Sequence, residues 1–599
     1  MYGTATTTVA SLTRESSPLI RLLIFVFCMV SANGCEKKSS GGGDNSGTAI
    51  GEGGLSGWSV DNEQLVISPK GIKAGQQYLL MPFATGDLER VTGAGDESLT
   101  LTVSKSTVSK AGLRESWNSY PLSVAGGKTW QETDYLRRSM LNRMQVLQGS
   151  AQDAGFWAAA RGLGAVAEVF EERLAQSHSE EFELTVAAEN FSDSCPTDSV
   201  LVPRWTNADT PTTLSVDVET SFDGTDYCLA IVDGTTLVSE PDLQVLKSSL
   251  SETMRRYKSV IYADAFAANV KDGYAFKPLV VVADFSDASI WPDPNVADAD
   301  LKAINSTYQV AGVFSSDMTS AAKRPVLYMA ADIAKVKGAE GTSADLARRT
   351  FHATIAHEMQ HAIQDYYRRR GAADAPETLF IDEGIAHYME DLFGYGEVSF
   401  DGFPKVFLTS LLDGTTPFLG SAEDSKAQRG AGQALIYYLV SQKGGVTFSG
   451  GNFIAGPGLA SLASLVKNPA AIGARSLVLA FGSDWFSTVG GFLGALVLDG
   501  TGVNSQDKRF QVQTPGDGVK DLQGVGTKKY GMRFNGFGGL ADRLSKYTSA
   551  IDKDLAKDGK PLKYYQTVPL LWTVGKDGES MNLGLSTASG RYVQYVRIK

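Results

Sequence analysis

The chain of 599 residues is 43% hydrophobic and 10% aromatic, which is enough apolar content for several domains with cores of their own. Its formal net charge of -12 at pH 7 excludes the broad basic surface that nucleic-acid binding requires. We therefore expect no nucleic-acid partner.

Residues 1–35 have the pattern of a lipoprotein-type signal peptide. Two arginines precede an apolar run at 22–30 that is too short to span a bilayer, and small residues follow it up to Cys35. The segment resembles a bacterial lipoprotein signal, which implies that Cys35 carries the lipid. An ordinary signal peptide and an uncleaved anchor are the alternatives. We expect export to the bacterial cell envelope, with a lipid anchor in the outer membrane or at the cell surface.

The next three segments are a linker and two regions with predicted secondary structure. Residues 36–57 are rich in Gly and Ser and contain almost nothing to bury, so we interpret them as a flexible linker. In residues 58–124 short apolar runs alternate with Gly, Asp and Pro, which predicts an N-terminal β domain. Residues 125–239 combine a helical segment with a second β unit.

Two cysteines lie beyond the signal region, Cys195 and Cys228, and both fall in the second β unit. Because export places a protein in an oxidising compartment, we expect the pair to form a disulfide. Two buried free thiols are the alternative.

Residues 240–500 contain the strongest chemical signal. Residues 344–370 have apolar side chains at helical spacing and no Gly or Pro, which predicts a long helix. This helix carries the motif His-Glu-x-x-His. Since positions i and i+4 share one helix face, His357 and His361 can bind one Zn²⁺ ion, with Glu358 as the general base at the open coordination position.

A second predicted helix, at 378–393, supplies the remaining candidates. A catalytic zinc site has three protein ligands, and Glu383 is the best third ligand. Glu390 lies on the same helical face as Glu383, where it either orients a ligand histidine or faces solvent. His387, one turn beyond Glu383, is either a contact of the site or a residue of the helix surface.

The two predicted helices together resemble the gluzincin metallopeptidases. The segment Glu-Gly-Ile-Ala-His-Tyr-Met-Glu-Asp at 383–391 is most similar to the hyicolysin family of neutral metallopeptidases. The resemblance covers about residues 240–500. It implies a zincin-like catalytic domain with a mixed sheet and active-site helices, one catalytic Zn²⁺ ion, and a protein or peptide substrate.

The chain departs from that family pattern at two positions. Asp382 precedes the ligand glutamate where Asn is usual, and Arg429 precedes the glycine of a later helix where Tyr is common. The group that polarises the scissile carbonyl is therefore unassigned by the resemblance. Its candidates are Tyr437, Tyr438, Arg429 and His387.

Residues 501–599 contain many turn signals and short alternating strands, which predict a C-terminal β-rich domain. The fold class expected for the whole chain is α+β, with the catalytic domain between β-rich flanks.

The expected function is that of an exported, membrane-tethered zinc endopeptidase. One alternative is a catalytically weak surface binding or adhesion lipoprotein on a zincin scaffold. The other is a zinc aminopeptidase, although the chain lacks the Gly-x-Met-Glu-Asn segment with which related aminopeptidases capture the substrate amine.

Overall fold

The computed structural model describes part of the chain. The described residues are 55–59, 64–67, 72–84, 98–106, 195–205, 211–233, 240–260, 262, 276–283, 312–314, 318–319, 322–330, 342–368, 377–394, 426–449, 452–454, 456–468, 471–482, 485–499, 508–512, 534, 561–563, 570–585 and 591–597. They form a mixture of helices and strands, in agreement with the expected α+β class. None of the helices among them is long and apolar enough to cross a membrane.

The described strands fall into several sheets. In chain order they are β1 Leu55–Ser59, β2 Gln64–Ile67, β3 Gln77–Ala84, β4 Ser98–Ser106, β5 Ser199–Trp205, β6 Pro211–Asp223, β7 Cys228–Val232, β8 Leu279–Ala283, β9 Gly312–Phe314, β10 Val326–Ala330, β11 Thr447–Ser449, β12 Asn452–Ile454, β13 Pro561–Lys563, β14 Leu570–Thr573, β15 Ser580–Leu585 and β16 Arg591–Arg597. The described helices are α1 Glu240–Val260, α2 Thr342–Arg368, α3 Leu379–Leu392, α4 Lys426–Gln442, α5 Pro457–Lys467, α6 Gly473–Phe481 and α7 Trp485–Leu498.

A six-stranded sheet in the order β5-β6-β7-β8-β10-β9 lies against the helices. Strands β7, β8 and β10 run parallel, and the other neighbouring pairs are antiparallel. Every residue of β7 and β8 is buried, which explains why both are continuous apolar runs without alternation. Strands β5 to β7 precede residue 240, so this sheet includes strands that the sequence assigned to a separate unit.

The helix α2 occupies the centre of the described core. It contacts α1, α3, α5 and the strands β9 and β10, while α3 also packs along α4. The apolar side chains that recur along α1 are buried in the same cluster as Ile355, Met359 and Ile363 of α2. This packing holds α3 beside α2, and α2 lies against β9 and β10 of the sheet.

Strands from the two ends of the chain pair with each other. The strand order β1-β16-β3-β14 forms one antiparallel sheet and β13-β4-β15-β2 forms another. The sequence assigned residues 58–124 and 501–599 to separate β domains, whereas the structure places strands of both segments in shared sheets. Helix α7 contacts β1 and β16, so these sheets adjoin the helical region.

Two boundaries also differ from the sequence-based expectations. The last three residues of the expected linker belong to β1, because strand β16 pairs with them. The apolar pattern of residues 476–492 predicts one helix, but the structure has α6 and α7, separated at Gly482. Gly482 has a φ of 53°, a left-handed conformation that favours glycine and ends α6. The segments 1–35, 36–54 and 107–194 lie outside the described residues.

Candidate metal centre

His357 and His361 lie on one face of α2, one turn apart. Both are 1% exposed, and their Nε2 atoms are 3.0 Å from each other. The helix turns this face inward because its apolar residues pack against α1 on one side and α3 on the other. The structure therefore places both histidines on one helix face, as their i and i+4 positions predict.

Glu383 approaches the same point from α3. Its Oε2 atom lies 3.2 Å from His357 Nε2, and its Oε1 atom lies 3.7 Å from His361 Nε2. Two ligand atoms about 2.0–2.1 Å from a tetrahedral zinc ion are roughly 3.3 Å apart, so the three side chains fit a common ion. Two imidazoles and one carboxylate are also a donor set that zinc uses in catalytic sites. These three side chains form one of the groups in the described residues that could hold a metal ion.

Glu358 is buried beside this donor set and contacts the sheet. Its Oε2 atom accepts a hydrogen bond from the backbone N–H of Phe314, at a distance of 2.8 Å. Phe314 is the last residue of β9, which is the end strand of the six-stranded sheet. A backbone donor on a packed strand thus fixes the orientation of the Glu358 carboxylate.

Strand β9 can approach α2 this closely because of Gly312. A Cβ atom on Gly312 would lie 2.6 Å from Thr354 Cγ2 and 3.0 Å from Met329 Sδ, closer than side-chain atoms pack. Only glycine fits at this position without moving the strand or the helix. The close contact is one turn of α2 before Glu358, which brings Phe314 within hydrogen-bond distance of it.

Each of the two histidines also contacts a carboxylate through its other ring nitrogen. Glu390 Oε1 lies 2.8 Å from His357 Nδ1, and Asp382 Oδ1 lies 2.9 Å from His361 Nδ1. The Glu390 contact is a hydrogen bond, and such a partner holds the His357 imidazole in the tautomer that presents Nε2 to a metal, whereas the Asp382 contact is a close approach. Glu390 Oε1 is also 2.7 Å from His387 Nδ1, so one carboxylate oxygen contacts two imidazoles.

Arg429 brings a positive charge to the donor set. Its Nη1 atom lies 3.3 Å from Glu383 Oε2, and the residue is buried. Burial opposes ionisation of Glu383, but the charges of Arg429 and His361 outweigh it and hold the pKa of Glu383 well below its usual range. Glu383 is therefore an ionised donor.

Burial lowers the pKa of His357, but hydrogen bonds to Glu383 and Glu390 outweigh burial and raise that pKa to about 9.

The two tyrosines considered from the sequence lie on α4 but point elsewhere. Tyr437 hydrogen-bonds to Asp391 and packs edge-on against Tyr388, with ring centroids 4.9 Å apart. Tyr438 packs against Phe492 of α7, with ring centroids 5.6 Å apart. Of the four candidates for polarising a carbonyl, Arg429 is the one that the structure places against a donor atom of Glu383.

Three features of the site were not found from the sequence. The Phe314 N–H is a backbone group, and no side-chain pattern marks its contact with Glu358. Asp382 was noted only as a departure from a family pattern, although its position next to Glu383 could have suggested a partner for a histidine. The pairing of Arg429 with Glu383 depends on how α3 crosses α4, and spacing along the chain does not reveal such a crossing.

The structure joins Cys195 and Cys228 in a disulfide whose Cα atoms are 5.4 Å apart. Cys195 precedes β5 and Cys228 begins β7, so the bond links two parts of the six-stranded sheet. Cys35, the candidate for lipidation, lies outside the described residues.

Comparisons with known proteins add no family to this description. Neither the protein-family models nor the curated proteins with which the chain was compared match it. The function proposed below therefore depends on the motif and the geometry of the site.

Proposed function

We propose that this protein is an exported zinc endopeptidase with a zincin-like catalytic domain. The observation that carries the proposal is the convergence of His357 Nε2, His361 Nε2 and a Glu383 carboxylate oxygen at distances of 3.0–3.7 Å, with Glu358 buried beside them. Two histidines, one carboxylate and an adjacent non-ligand glutamate are the groups that zinc peptidases use to hydrolyse amides.

The mechanism assigns a proton-transfer role to Glu358. A zinc ion held by His357, His361 and Glu383 would supply a Lewis acid that polarises the peptide carbonyl. Glu358 takes a proton from the attacking water and later gives it to the nitrogen of the leaving amine, so the carboxylate is regenerated in each cycle. The Phe314 N–H holds the carboxylate in one orientation throughout. Because Glu390 holds the His357 imidazole through a hydrogen bond, Nε2 of that ring stays directed at the other donor atoms.

The sheet edge supports an endopeptidase. In the described part of the chain, β9 pairs with β10 on one side only and ends the sheet. An extended peptide can add to such an edge as a further strand, through backbone hydrogen bonds that do not depend on sequence. A peptide bound in this way extends beyond the site in both directions, which suits cleavage within a chain.

The proposal includes the location of the protein, which is the bacterial cell envelope. A signal peptide at 1–35, a lipid on Cys35 and a linker would attach the enzyme to the bacterial cell envelope. The disulfide between Cys195 and Cys228 supports export, because such bonds persist in oxidising compartments.

The test compares the purified full-length protein with its Glu358→Gln variant. Zinc is measured by elemental analysis, and cleavage is measured with a library of peptides blocked and unblocked at the N-terminus. We expect one zinc ion per chain in both proteins, and cleavage within blocked peptides by the wild type alone. Cleavage confined to free N-termini would show the aminopeptidase. Zinc in both proteins with cleavage by neither would favour the binding lipoprotein, and a wild type without zinc would refute the proposal.

A further inference from the structure

Hydrolysis of a peptide bond builds negative charge on one specific oxygen. When water attacks the carbonyl carbon, the electron pair of the C=O bond moves to the oxygen and a proton of the water moves to Glu358. When the C–N bond breaks, the pair returns to the carbonyl and the proton leaves with the amine. A positively charged donor fixed beside that oxygen accelerates both steps without being consumed.

We propose that Arg429 is the catalytic residue that stabilises this oxygen. The inference rests on the proposed function. Its basis is the position of the guanidinium group, whose Nη1 atom lies 3.3 Å from Glu383 Oε2. His357, His361 and Glu383 would hold the zinc ion, which would supply a Lewis acid for the carbonyl, and a substrate oxygen beside the Glu383 carboxylate would then lie within reach of Arg429.

The chemistry of arginine suits this role. A guanidinium group stays charged when buried, and its planar array of N–H groups can contact two oxygens at once. Burial of Arg429 keeps water from screening its charge, so its interaction with a developing oxyanion is stronger than at a surface. A tyrosine hydroxyl would supply one neutral donor, whereas Arg429 supplies a charged one.

The crossing of two helices fixes where the guanidinium lies. Gly384 follows Glu383 in α3, and Gly432 lies one turn after Arg429 in α4. A Cβ atom on Gly432 would be 2.5 Å from Phe380 O and 3.0 Å from Gly384 Cα, so the helix backbones touch at this point. The contact determines how far Arg429 reaches towards Glu383.

The competing groups have other contacts. Tyr437 hydrogen-bonds to Asp391, Tyr438 packs on α7, and His387 Nδ1 contacts Glu390. The two tyrosine contacts involve no atom of the proposed donor set, whereas the His387 ring packs on the His357 ring, with ring centroids 4.5 Å apart. Of the two candidates beside the donor set, Arg429 is the one that carries a permanent positive charge, and it takes the position that the family resemblance left unassigned.

The experiment uses the full-length protein with Arg429→Met, Arg429→Lys and Arg429→Ala. The control is Arg324→Met, because Arg324 is buried to a similar degree but contacts Cys228 in the sheet. For each variant we would measure zinc content, kcat and KM for one peptide, and affinity for the matching phosphonate peptide, whose tetrahedral anion imitates the oxyanion. Arg429→Ala would also be assayed with added guanidinium ions.

We expect Arg429→Met to keep its zinc and its KM, and to lose about 10²- to 10³-fold in kcat. Phosphonate affinity should fall in parallel, Arg429→Lys should be intermediate, and guanidinium should restore part of the activity of Arg429→Ala. The control should keep its kcat. An Arg429→Met variant with normal kcat, or one whose loss of activity matches a loss of zinc, would overturn the inference.

Failure of the proposed function has a different signature. If the wild type cleaves nothing, phosphonate binding still tests Arg429. Binding that weakens at least tenfold in Arg429→Met but not in Arg324→Met would support an oxyanion contact in a protein that is not a peptidase. Equal binding by all three proteins would overturn the role of Arg429 as well.

Discussion

Gly384 and Gly432 bring the backbones of α3 and α4 into direct contact. A Cβ atom on Gly384 would lie 2.6 Å from the carbonyl carbon of Gly432, a distance that side-chain carbons essentially never adopt. Each glycine lies within one turn of a charged residue of the site, Glu383 on α3 and Arg429 on α4. The helix crossing thus determines the distance between a candidate metal ligand and the positive charge beside it.

Alanine at position 432 should separate these two helices. We expect Gly432→Ala to lower the free energy of unfolding by about 1–3 kcal/mol, because the added methyl group meets backbone atoms that cannot turn away. Zinc affinity should fall too, since Glu383 moves with α3. Urea unfolding and a zinc competition titration would measure the two effects. Gly575→Ala is the control, since its Cβ would meet only the Glu579 side chain at 3.4 Å. Equal effects of both variants would show that Gly432 is not needed for the close contact of α3 and α4.

A proline at position 314 removes the backbone N–H that donates to Glu358, and an alanine at the same position controls for the loss of the Phe side chain. Phe314→Pro lacks the donor to Glu358, while Phe314→Ala keeps it and loses a similar amount of buried side chain. We expect both variants to be less stable than the wild type, and kcat of the proline variant to be about tenfold below that of the alanine variant. The comparison needs steady-state kinetics at a temperature where both variants are folded. Equal kcat values would show that the hydrogen bond does not position Glu358.

The carboxylate on His361 should affect metal affinity. Asp382→Ala removes the oxygen that lies 2.9 Å from His361 Nδ1, and we expect zinc affinity to fall about 10- to 100-fold. Asp382→Asn keeps an oxygen at this position, so its loss should be smaller. Dissociation constants from competition with a chelator would order the three proteins. An asparagine variant as weak as the alanine variant would contradict a role for the oxygen that lies beside His361.

The sequence predicted those parts of the molecule that depend on local pattern. Residues 357–361 and 383 were placed on helices because apolar spacing marks α2 and α3 directly, and α2 also lacks Gly and Pro. The break between α6 and α7 was missed because the apolar pattern continues through Gly482. The pairing of β1 and β3 with β16 was missed because no local sequence pattern shows which strands pair when they lie at opposite ends of a chain. The contacts of Arg429 and Phe314 were missed for a similar reason, since both depend on how elements cross in space.

The pairing of the two chain ends has a consequence for processing. A chain that begins at residue 195 lacks β1 to β4, so β13 to β16 lose the neighbours that complete both four-stranded sheets. We expect this shorter protein to be unstable or insoluble, because unpaired strand edges expose backbone groups and apolar surface. A chain that begins at residue 55 keeps all of these strands and should unfold at the same temperature as the full-length protein. Thermal unfolding of the two truncated proteins would decide the point: a stable chain from residue 195 would show that the N-terminal strands are dispensable.

Asp391 should make stability depend on pH. Burial, and then the charge of Glu390, raises the pKa of Asp391 from 3.8 to about 8, although Gln433 and Tyr437 donate hydrogen bonds to it. The folded protein therefore keeps a proton that the unfolded chain releases above about pH 4. It follows that this residue makes the folded state progressively less stable as the pH rises from about 4 to about 8, and that its effect is constant above that range.

Asparagine at position 391 cannot lose a proton in this range. We expect Asp391→Asn to unfold with a smaller dependence on pH, and to exceed the wild type in stability at pH 8 by an amount on the order of 1–3 kcal/mol. Urea unfolding at several pH values between 4 and 9 would measure the difference, with Glu240→Gln as a control at an exposed carboxylate. Parallel curves for the wild type and Asp391→Asn would mean that Asp391 is ionised in the folded protein. Gln433 Nε2, which donates a hydrogen bond to Asp391 Oδ2 at 2.6 Å, would then donate to a buried negative charge.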